Sequence, residues 1–313
     1  MSQKTGTGKY ERLLERCKAL EAIPTAVAHP CEESALTGAV EAAQAGLIVP
    51  ILVGPAAKIE EIAKSANIDL GKIPIVDAQH SVDSAKKAVD LVKQGRAEVL
   101  MKGSLHSDEL LSAIVSRDGG LRTGRRISHV FVMDVPTYHK VLIITDAAIN
   151  IAPTLEDKVD ICQNAIDLVN SLRRDNPEKP KVAILAAVEI VTTKMPATID
   201  AAALCKMAER GQIKGGILDG PLAFDNAISK QAAEMKGIKS AVAGDPDILL
   251  APDLEAGNIL AKQLTFLANA DSAGLVLGAK VPVILTSRAD SVRSRITSCA
   301  VAILVAHARR KKL

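Results

Sequence analysis

The stretch that decides the fold is residues 281–295, which read Val-Pro-Val-Ile-Leu-Thr-Ser-Arg-Ala-Asp-Ser-Val-Arg-Ser-Arg. An apolar run, 281–285, ends abruptly in polar residues, and Asp290 and Ser291 precede a long apolar-faced segment. This order predicts a buried strand, a polar turn and a helix N-terminus. Because such a turn collects a hydroxyl, a guanidinium and free backbone N–H groups, it suits an anionic ligand. The alternative is that Asp290 or Ser291 only caps the helix and that Arg288 is a solvated surface charge.

The rest of the chain alternates short apolar runs with amphipathic stretches. The first apolar runs, at 24–28, 48–53, 73–77 and 99–101, are each followed by a helical pattern, and the last helix is predicted at 291–309. Alternation with short connections is typical of an α/β fold in which helices cover both faces of a parallel sheet. A chain of 313 residues also exceeds the size at which single cores stop growing, so we expect two domains.

Polar residues collect where the predicted strands end. They are Lys102, Asp146, Asp219, Asp253, Thr286 and Ser287. Ligands of open α/β sheets bind outside the carboxyl ends of the strands, so some of these side chains are expected to face a cleft. The alternative for each aspartate is a helix cap.

The glycine-rich segment 117–126 interrupts the alternation. It reads Arg-Asp-Gly-Gly-Leu-Arg-Thr-Gly-Arg-Arg. Arg122 and Arg125 are candidate phosphate ligands, because guanidinium groups match phosphate oxygens in geometry. The alternative is an exposed linker between the domains, whose charges keep it in water.

Composition excludes several classes of protein. A formal charge of +3 and an aromatic content of 2% give no basis for nucleic-acid binding. Five widely spaced cysteines without a C-x-x-C pair fit a reducing cytoplasm and offer no metal-ligand spacing. The sequence shows neither an apolar signal core nor an apolar run of membrane length, so we expect a cytoplasmic protein without a membrane partner.

Eight motifs in the same order identify a resemblance to a known family. They lie at 102–106, 120–125, 128–130, 145–150, 194–198, 219–222, 252–258 and 286–291. With them the chain resembles the phosphate acetyltransferase and phosphate butyryltransferase family over nearly its whole length. Gly-Leu-Arg-Thr-Gly-Arg at 120–125 and Thr-Ser-Arg-Ala-Asp-Ser at 286–291 look more like the butyryltransferase branch, and like the transferase half of a bifunctional enoyl-CoA hydratase/phosphate acetyltransferase. We expect this chain to carry only the transferase.

The resemblance implies a reaction, a fold and partners. The reaction is reversible transfer of a short acyl group, acetyl or butyryl, between coenzyme A and inorganic phosphate in a ternary complex, without a metal or redox cofactor. The fold is like that of isocitrate and isopropylmalate dehydrogenases, with two α/β domains and a cleft between them. Domain I would comprise 1–125 and 277–313, and domain II 126–276. The partners would be acyl-CoA, inorganic phosphate and acyl phosphate, and a second copy in a homodimer.

The resemblance also implies roles for single residues. Ser287 would stabilise the oxyanion of the tetrahedral intermediate, and Arg288 would hold the phosphate group. Asp290 would be either the base that accepts the thiol proton or merely a helix cap. The other predicted substrate contacts are Lys102, His106, Arg122, Arg125, Asp146, Asn150, Asn258 and Thr286.

Two departures from the acetyltransferase branch bear on these roles. That branch has an aspartate several residues after the Ser-Arg pair as its proposed thiol base, whereas residues 292–295 here contain no acid. It also has an arginine in the helix after His106, where this chain has Ser112 nearby, and Arg122 or Arg125 is the hypothetical replacement. The alternatives to a transferase are an NAD(P)-dependent decarboxylating dehydrogenase of the same fold and a non-catalytic CoA-binding protein.

Overall fold

The structure is a computed structural model that describes residues 8–117, 120–173, 178–287 and 290–311. The chain divides into two compact units. Unit 1 comprises Met1–Arg125 and Ala273–Leu313, and unit 2 comprises Arg126–Ser272. Unit 1 therefore takes its elements from both ends of the chain, and it contains the stretch that follows the last strand.

Unit 1 begins with alternating helices and strands. In chain order they are α1 (Lys9–Lys18), β1 (Ile23–Ala28), α2 (Glu33–Gln44), β2 (Ile48–Gly54), α3 (Ala56–Ser65), β3 (Ile75–Asp77), α4 (Ser81–Lys93), β4 (Val99–Lys102) and α5 (Ser107–Val115). Strands β3, β2, β1 and β4 lie side by side and parallel. A continuously apolar sequence such as that of β2, Ile-Val-Pro-Ile-Leu-Val-Gly, is what a parallel strand with helices on both faces requires.

The elements of unit 2 follow, and the chain then returns to unit 1. Unit 2 holds β5 (Ser128–Asp134), β6 (Leu142–Thr145), α6 (Leu155–Leu172), β7 (Lys181–Leu185), α7 (Pro196–Glu209), β8 (Ile217–Leu222), α8 (Phe224–Ile228), α9 (Lys230–Met235), β9 (Ile248–Leu250) and α10 (Leu254–Leu267). The last elements are β10 (Asp271–Leu277), which starts at the end of unit 2, then β11 (Val283–Ile284) and α11 (Val292–Arg310).

Both units depart from a purely parallel sheet. In unit 1, β11 lies parallel to β4 but antiparallel to β10. In unit 2, the strand order is β5-β6-β9-β7-β8, and among the described residues the pair β5–β6 is antiparallel and the other pairs are parallel. The α/β class that the sequence predicts is confirmed, but the sheet is mixed, because a short connection can join two neighbouring strands only in the antiparallel sense.

Helix α11 is more deeply buried than its sequence pattern predicts. The pattern favours one apolar face, yet residues 297–306 are buried around the whole helix. The reason is that α11 packs against both α1 and α2 while its other side lies on β4 and β11. A helix covered all round is a core element rather than a surface one.

Candidate active site

Three neighbouring strands of unit 1 end at the same edge of the sheet. Ala28 of β1 pairs with Lys102 of β4, and Met101 of β4 pairs with Ile284 of β11. Since these strands are parallel, the residues that follow each of them meet at one edge. The predicted strand-end cluster of Lys102, Thr286 and Ser287 therefore exists within unit 1.

The turn after β11 is braced by its own polar groups. The backbone N–H of Ser287 donates to Oδ2 of Asp290 at 2.6 Å, and the N–H of Asp290 donates to the carbonyl of Ser287 at 3.1 Å. Ser291 is the N-cap of α11, and its hydroxyl accepts from the N–H of Ser294 at 3.1 Å. Asp290 is therefore not the helix cap, and its carboxylate holds the serine turn. Arg288 lies outside the described residues.

Arg295 supports this turn from inside the protein, and the sequence analysis missed it. Its guanidinium donates from Nη1 to Oγ1 of Thr286 at 2.8 Å and from Nη2 to the carbonyl of Ser287 at 3.1 Å. Arg295 is 2% exposed, and its Nε has no hydrogen-bond partner among the residues that the structure describes. Burial lowers the pKa of this guanidinium, whereas the carboxylates of Asp290 and Glu32 act in the opposite direction.

Gly38 of α2 makes the space that Arg295 occupies. A Cβ atom at this position would lie 2.6 Å from Cδ of Arg295, which is closer than real side chains approach. An arginine in a sequence is normally interpreted as solvent-exposed, since arginine is rarely fully buried without a partner. The close approach of two helices far apart in sequence is what places this one inside.

Lys102, the last residue of β4, and His106, which precedes α5, lie at the same edge. Lys102 is 4% exposed, and its Nζ is 3.4 Å from the carbonyl of Gly103. Gly103 is required here, because a Cβ would lie 2.4 Å from the carbonyl oxygens of both Ala28 and His29. His106 is exposed as the N-cap of α5, and its N–H donates to the Glu109 carboxylate at 2.8 Å.

His29, at the end of β1, is a second residue that the sequence analysis missed. Its φ is 54°, in the left-handed region that residues other than glycine seldom adopt. Its Nδ1 is 3.0 Å from the hydroxyl of Ser84, which is buried on α4. A single histidine before a proline carries no sequence signal for this arrangement. Only the pairing of β1 with β4 brings it beside Lys102.

The glycine-rich segment is anchored to unit 1. The carbonyl of Leu121 accepts from the N–H of Lys280 at 2.9 Å, and the Thr123 hydroxyl donates to the carbonyl of Gly278 at 2.5 Å. Arg122 and Arg125 are both exposed. The segment is therefore not a loose linker where it is described, and both guanidinium groups are accessible to a ligand.

The predicted site residues of unit 2 hold the turn after β6. The buried carboxylate of Asp146 accepts from Nδ2 of Asn150 at 2.5 Å, and from the N–H groups of Ala148 and Ile149 at 2.9 and 3.0 Å. Nδ2 of Asn258 donates to the carbonyl of Ala147 at 2.8 Å. These contacts are structural, and the roles of Asp146, Asn150 and Asn258 as substrate contacts stay predictions.

The carboxyl ends of β7 and β8 border an apolar groove in unit 2. Its volume is about 660 Å³, and it is lined by residues 185–187, by Phe224 and by apolar side chains of α10. Helix α10 begins at Leu254, with Asp253 as its N-cap. Helix α10 projects Ile259, Phe266 and Leu267 into solvent.

The structure is that of an α/β protein with polar side chains at the carboxyl edge of the unit 1 sheet. A serine turn, a buried lysine and two histidines lie at the carboxyl edge of the unit 1 sheet, whereas Arg122 is bridged to Ala279 at the amino end of β11. The family model described as phosphate acetyl/butaryl transferase matches residues 78–303. The chain belongs to this family and is an acyltransferase.

Similar proteins agree with this assignment over nearly their full length. The chain is 62% identical to a phosphate acetyltransferase of Rhizobium meliloti, over 96% of this chain and 95% of that protein. It is 43% identical to a phosphate butyryltransferase of Clostridium beijerinckii, over 95% and 97% respectively. The crystal structure of a branched-chain phosphotransacylase from Enterococcus faecalis V583 matches with a TM-score of 0.78 at 30% identity, over 91% of this chain and 99% of that one.

Proposed function

We propose that this protein transfers a short acyl group reversibly between coenzyme A and inorganic phosphate. The observation that carries the proposal is the braced turn at Ser287, at the carboxyl edge of unit 1 in a chain of this family. Relatives named for acetyl and for butyryl transfer match almost the whole chain, so the proposal covers acetyl and butyryl groups.

The chemistry needs three kinds of help. The thiol of coenzyme A must lose its proton, because a free thiol with a pKa near 8.5 is mostly protonated at neutral pH. The thiolate then attacks the acyl carbon, and the hydroxyl of Ser287 stabilises the resulting oxyanion. The C–O bond to phosphate breaks, and phosphate leaves with the electron pair. Arg288 holds that phosphate, in a ternary complex that forms no acyl-enzyme.

The remaining site residues belong to the same proposal. Asp290 keeps Ser287 in place, and Thr286 shares the turn. Positive charge for the phosphate groups of both substrates comes from Lys102, Arg122 and Arg125. The other proposed substrate contacts are His106, Asp146, Asn150 and Asn258. None of these steps requires a metal or redox cofactor.

The finer architecture is also proposed. We assign the chain to the isocitrate/isopropylmalate dehydrogenase-like fold, with a cleft between domain I (1–125 and 277–313) and domain II (126–276). Among the described residues, no helix is long and apolar enough to cross a membrane. The proposed location is the cytoplasm, and neither a nucleic acid nor a membrane is a proposed partner.

A homodimer completes the proposal, and unit 2 supports it. Phe266 and Leu267 are 70% and 77% exposed, and Ile259 on the same helix is 65% exposed. Exposed apolar side chains next to an apolar groove are typical of a protein–protein interface. Light scattering on Phe266→Glu is the test. The variant should have the mass of a monomer. If it remains a dimer of unchanged stability, the dimer contact does not involve Phe266.

A thiol-release assay tests the activity and separates the alternatives. Acetyl-, propionyl- and butyryl-CoA are incubated with phosphate, or with arsenate as a substitute whose mixed anhydride with the acyl group hydrolyses. A transferase releases CoA only when phosphate or arsenate is present. A dehydrogenase instead reduces a nicotinamide cofactor while it oxidises a hydroxy acid. A silent CoA-binding protein binds CoA without releasing thiol. Absence of turnover at every chain length contradicts the proposed function.

A further inference from the structure

We propose that Nε2 of His29 is the general base that takes the proton from the coenzyme A thiol. The inference rests on the proposed function, which requires such a base. In the structure, the Asp290 carboxylate accepts the Ser287 N–H at 2.6 Å, so this carboxylate already holds the turn. No role has so far been assigned to His29, which lies at the same sheet edge.

The sheet places His29 close to the serine turn within unit 1. Strand β4 separates β1 from β11, and the register pairs Ala28 with Lys102 and Ile284 with Met101. His29 and Thr286 therefore follow strands that are two spacings apart, or about 10 Å between their backbones. A backbone separation of this size leaves room for one acyl carbon and one thiol between the two residues.

The hydrogen bonds of Ser84 determine which nitrogen of His29 carries the proton. The Ser84 hydroxyl donates its only hydrogen to the carbonyl of His80 at 2.8 Å. Toward Nδ1 of His29, at 3.0 Å, this oxygen can therefore only accept. Nδ1 carries the hydrogen, and the lone pair of the neutral ring lies on Nε2. A base oriented through its other nitrogen is the usual arrangement for catalytic histidines.

The backbone of His29 is held from both sides. Its N–H donates to the carbonyl of Val53 at 2.7 Å, and its carbonyl accepts from the N–H of Cys31 at 2.8 Å. The same carbonyl accepts from the N–H and the hydroxyl of Ser104, at 2.8 and 2.9 Å. A left-handed residue that is fixed by its surroundings in this way is typical of functional sites.

The charges around His29 keep the imidazole neutral at physiological pH. Burial is the largest cause that lowers its pKa, and the Lys58 ammonium on α3 acts in the same direction. Glu109 of α5 and Glu32 before α2 raise the pKa, and His80 before α4 lowers it. The net shift is downward, so the ring accepts a proton at pH 7 instead of already carrying one.

The proposed step is balanced. Nε2 takes the proton of the thiol, the sulfur forms a bond to the acyl carbon, and the bond from that carbon to the phosphate oxygen breaks. The phosphate leaves with the electron pair of that bond, and the imidazolium returns its proton to a phosphate oxygen. In the reverse direction, neutral His29 takes a proton from phosphate and returns it to the departing thiolate.

His29→Asn tests the step, because asparagine adopts the left-handed conformation more readily than most residues. CoA-dependent loss of acetyl or butyryl phosphate is measured from pH 6 to 10, together with CoA affinity and melting temperature. At pH 7, kcat should fall by about 10²–10⁴-fold with CoA affinity unchanged. The deficit should shrink as pH rises through the thiol pKa near 8.5, because the substrate then ionises without help. Added imidazole should restore part of the rate.

The control variants separate the outcomes. His139→Asn removes a histidine of unit 2 whose side chain is 63% exposed, and its pH profile should match that of the wild type. Ser84→Ala keeps the His29 backbone but removes the bond that fixes the tautomer, so it should lower kcat and alter the acidic limb of the profile. This variant decides the question if His29→Asn does not fold.

Three results would overturn the assignment. The first is a loss of kcat in His29→Asn that does not change with pH. The second is a pH profile of kcat in Ser84→Ala that is identical to that of the wild type. The third is a loss of kcat that recovers at high pH in Asp290→Asn and not in His29→Asn. The proposed function is tested by a different measurement: it is contradicted if the wild-type protein itself shows no turnover.

Discussion

Replacing Arg295 by methionine separates support of the serine turn from support of the fold. The guanidinium makes two hydrogen bonds to the turn, at 2.8 and 3.1 Å, and Arg295 is 2% exposed. Methionine fills the space of the side-chain stem beside Gly38 without a charge. The variant therefore loses the two hydrogen bonds and the buried guanidinium together.

The two losses have opposite effects on stability. Hydrogen bonds from a charged donor contribute about 1.5–3 kcal/mol each, so the turn loses about 3–6 kcal/mol of contacts. Burying an ion costs several kcal/mol, and that cost disappears with the guanidinium. The free energy of unfolding should consequently change by less than about 2 kcal/mol. Arg295→Ala should be about 2–5 kcal/mol less stable than Arg295→Met, because alanine also leaves a cavity.

Activity should respond far more than stability. A released turn misplaces the Ser287 hydroxyl, and the loss of one oxyanion donor costs about 10²–10³-fold in turnover. The assay is thiol release under saturating substrates, with denaturant unfolding of the same preparations. Wild-type kcat in Arg295→Met would refute the reasoning about the turn. Unfolding of Arg295→Met as severe as that of Arg295→Ala would show that the charge supports the fold instead.

Further variants test the acidic residues and the exposed arginines. Asp290→Asn keeps an oxygen that accepts the Ser287 N–H, so its kcat should stay within about threefold of the wild-type value. Asp290→Ala should lower kcat about 10–100-fold, as the loss of one charged hydrogen bond implies. Steady-state kinetics of both variants measure the difference. At Asp247, burial raises the pKa of the carboxyl, but Arg173 and other donors outweigh it and the net shift is downward. The stability from Asp247 is therefore present above the unfolded pKa of about 3.9 and is lost as pH falls through the lower folded value. Wild type and Asp247→Asn should consequently differ in unfolding free energy at pH 6, and the difference should shrink as the pH falls below the unfolded pKa. Arg122→Ala and Arg125→Ala should raise the KM for phosphate if these exposed guanidinium groups bind it as proposed. An unchanged KM in both variants excludes them as phosphate ligands.

Much of the fold was predictable because apolar runs and caps are local signals. The pattern at 281–295 places strand β11 and helix α11 correctly, although the paired strand is only Val283–Ile284. The antiparallel pairing of β10 with β11 was also accessible from the sequence, since the connection 278–282 is too short for a parallel crossover.

The missed parts of the site depend on contacts between distant segments. Arg295 is buried only because Gly38, in a helix from the other end of the chain, leaves space for it. The proposed role of His29 as a base depends on the pairing of β1 with β4 and on its contact with the hydroxyl of Ser84. No periodicity or motif encodes either contact, so sequence reasoning could identify the serine turn but not what holds it.

The most direct test of the central claim is phosphorus NMR of the reaction itself, with wild-type protein and Ser287→Ala. Butyryl-CoA or acetyl-CoA is mixed with inorganic phosphate, and the acyl phosphate resonance and free thiol are followed together. The wild-type protein should form acyl phosphate and thiol in equal amounts, and Ser287→Ala should lose about 10²–10³-fold in rate while still binding CoA. Thiol release without acyl phosphate, or an unchanged rate in Ser287→Ala, would contradict the account.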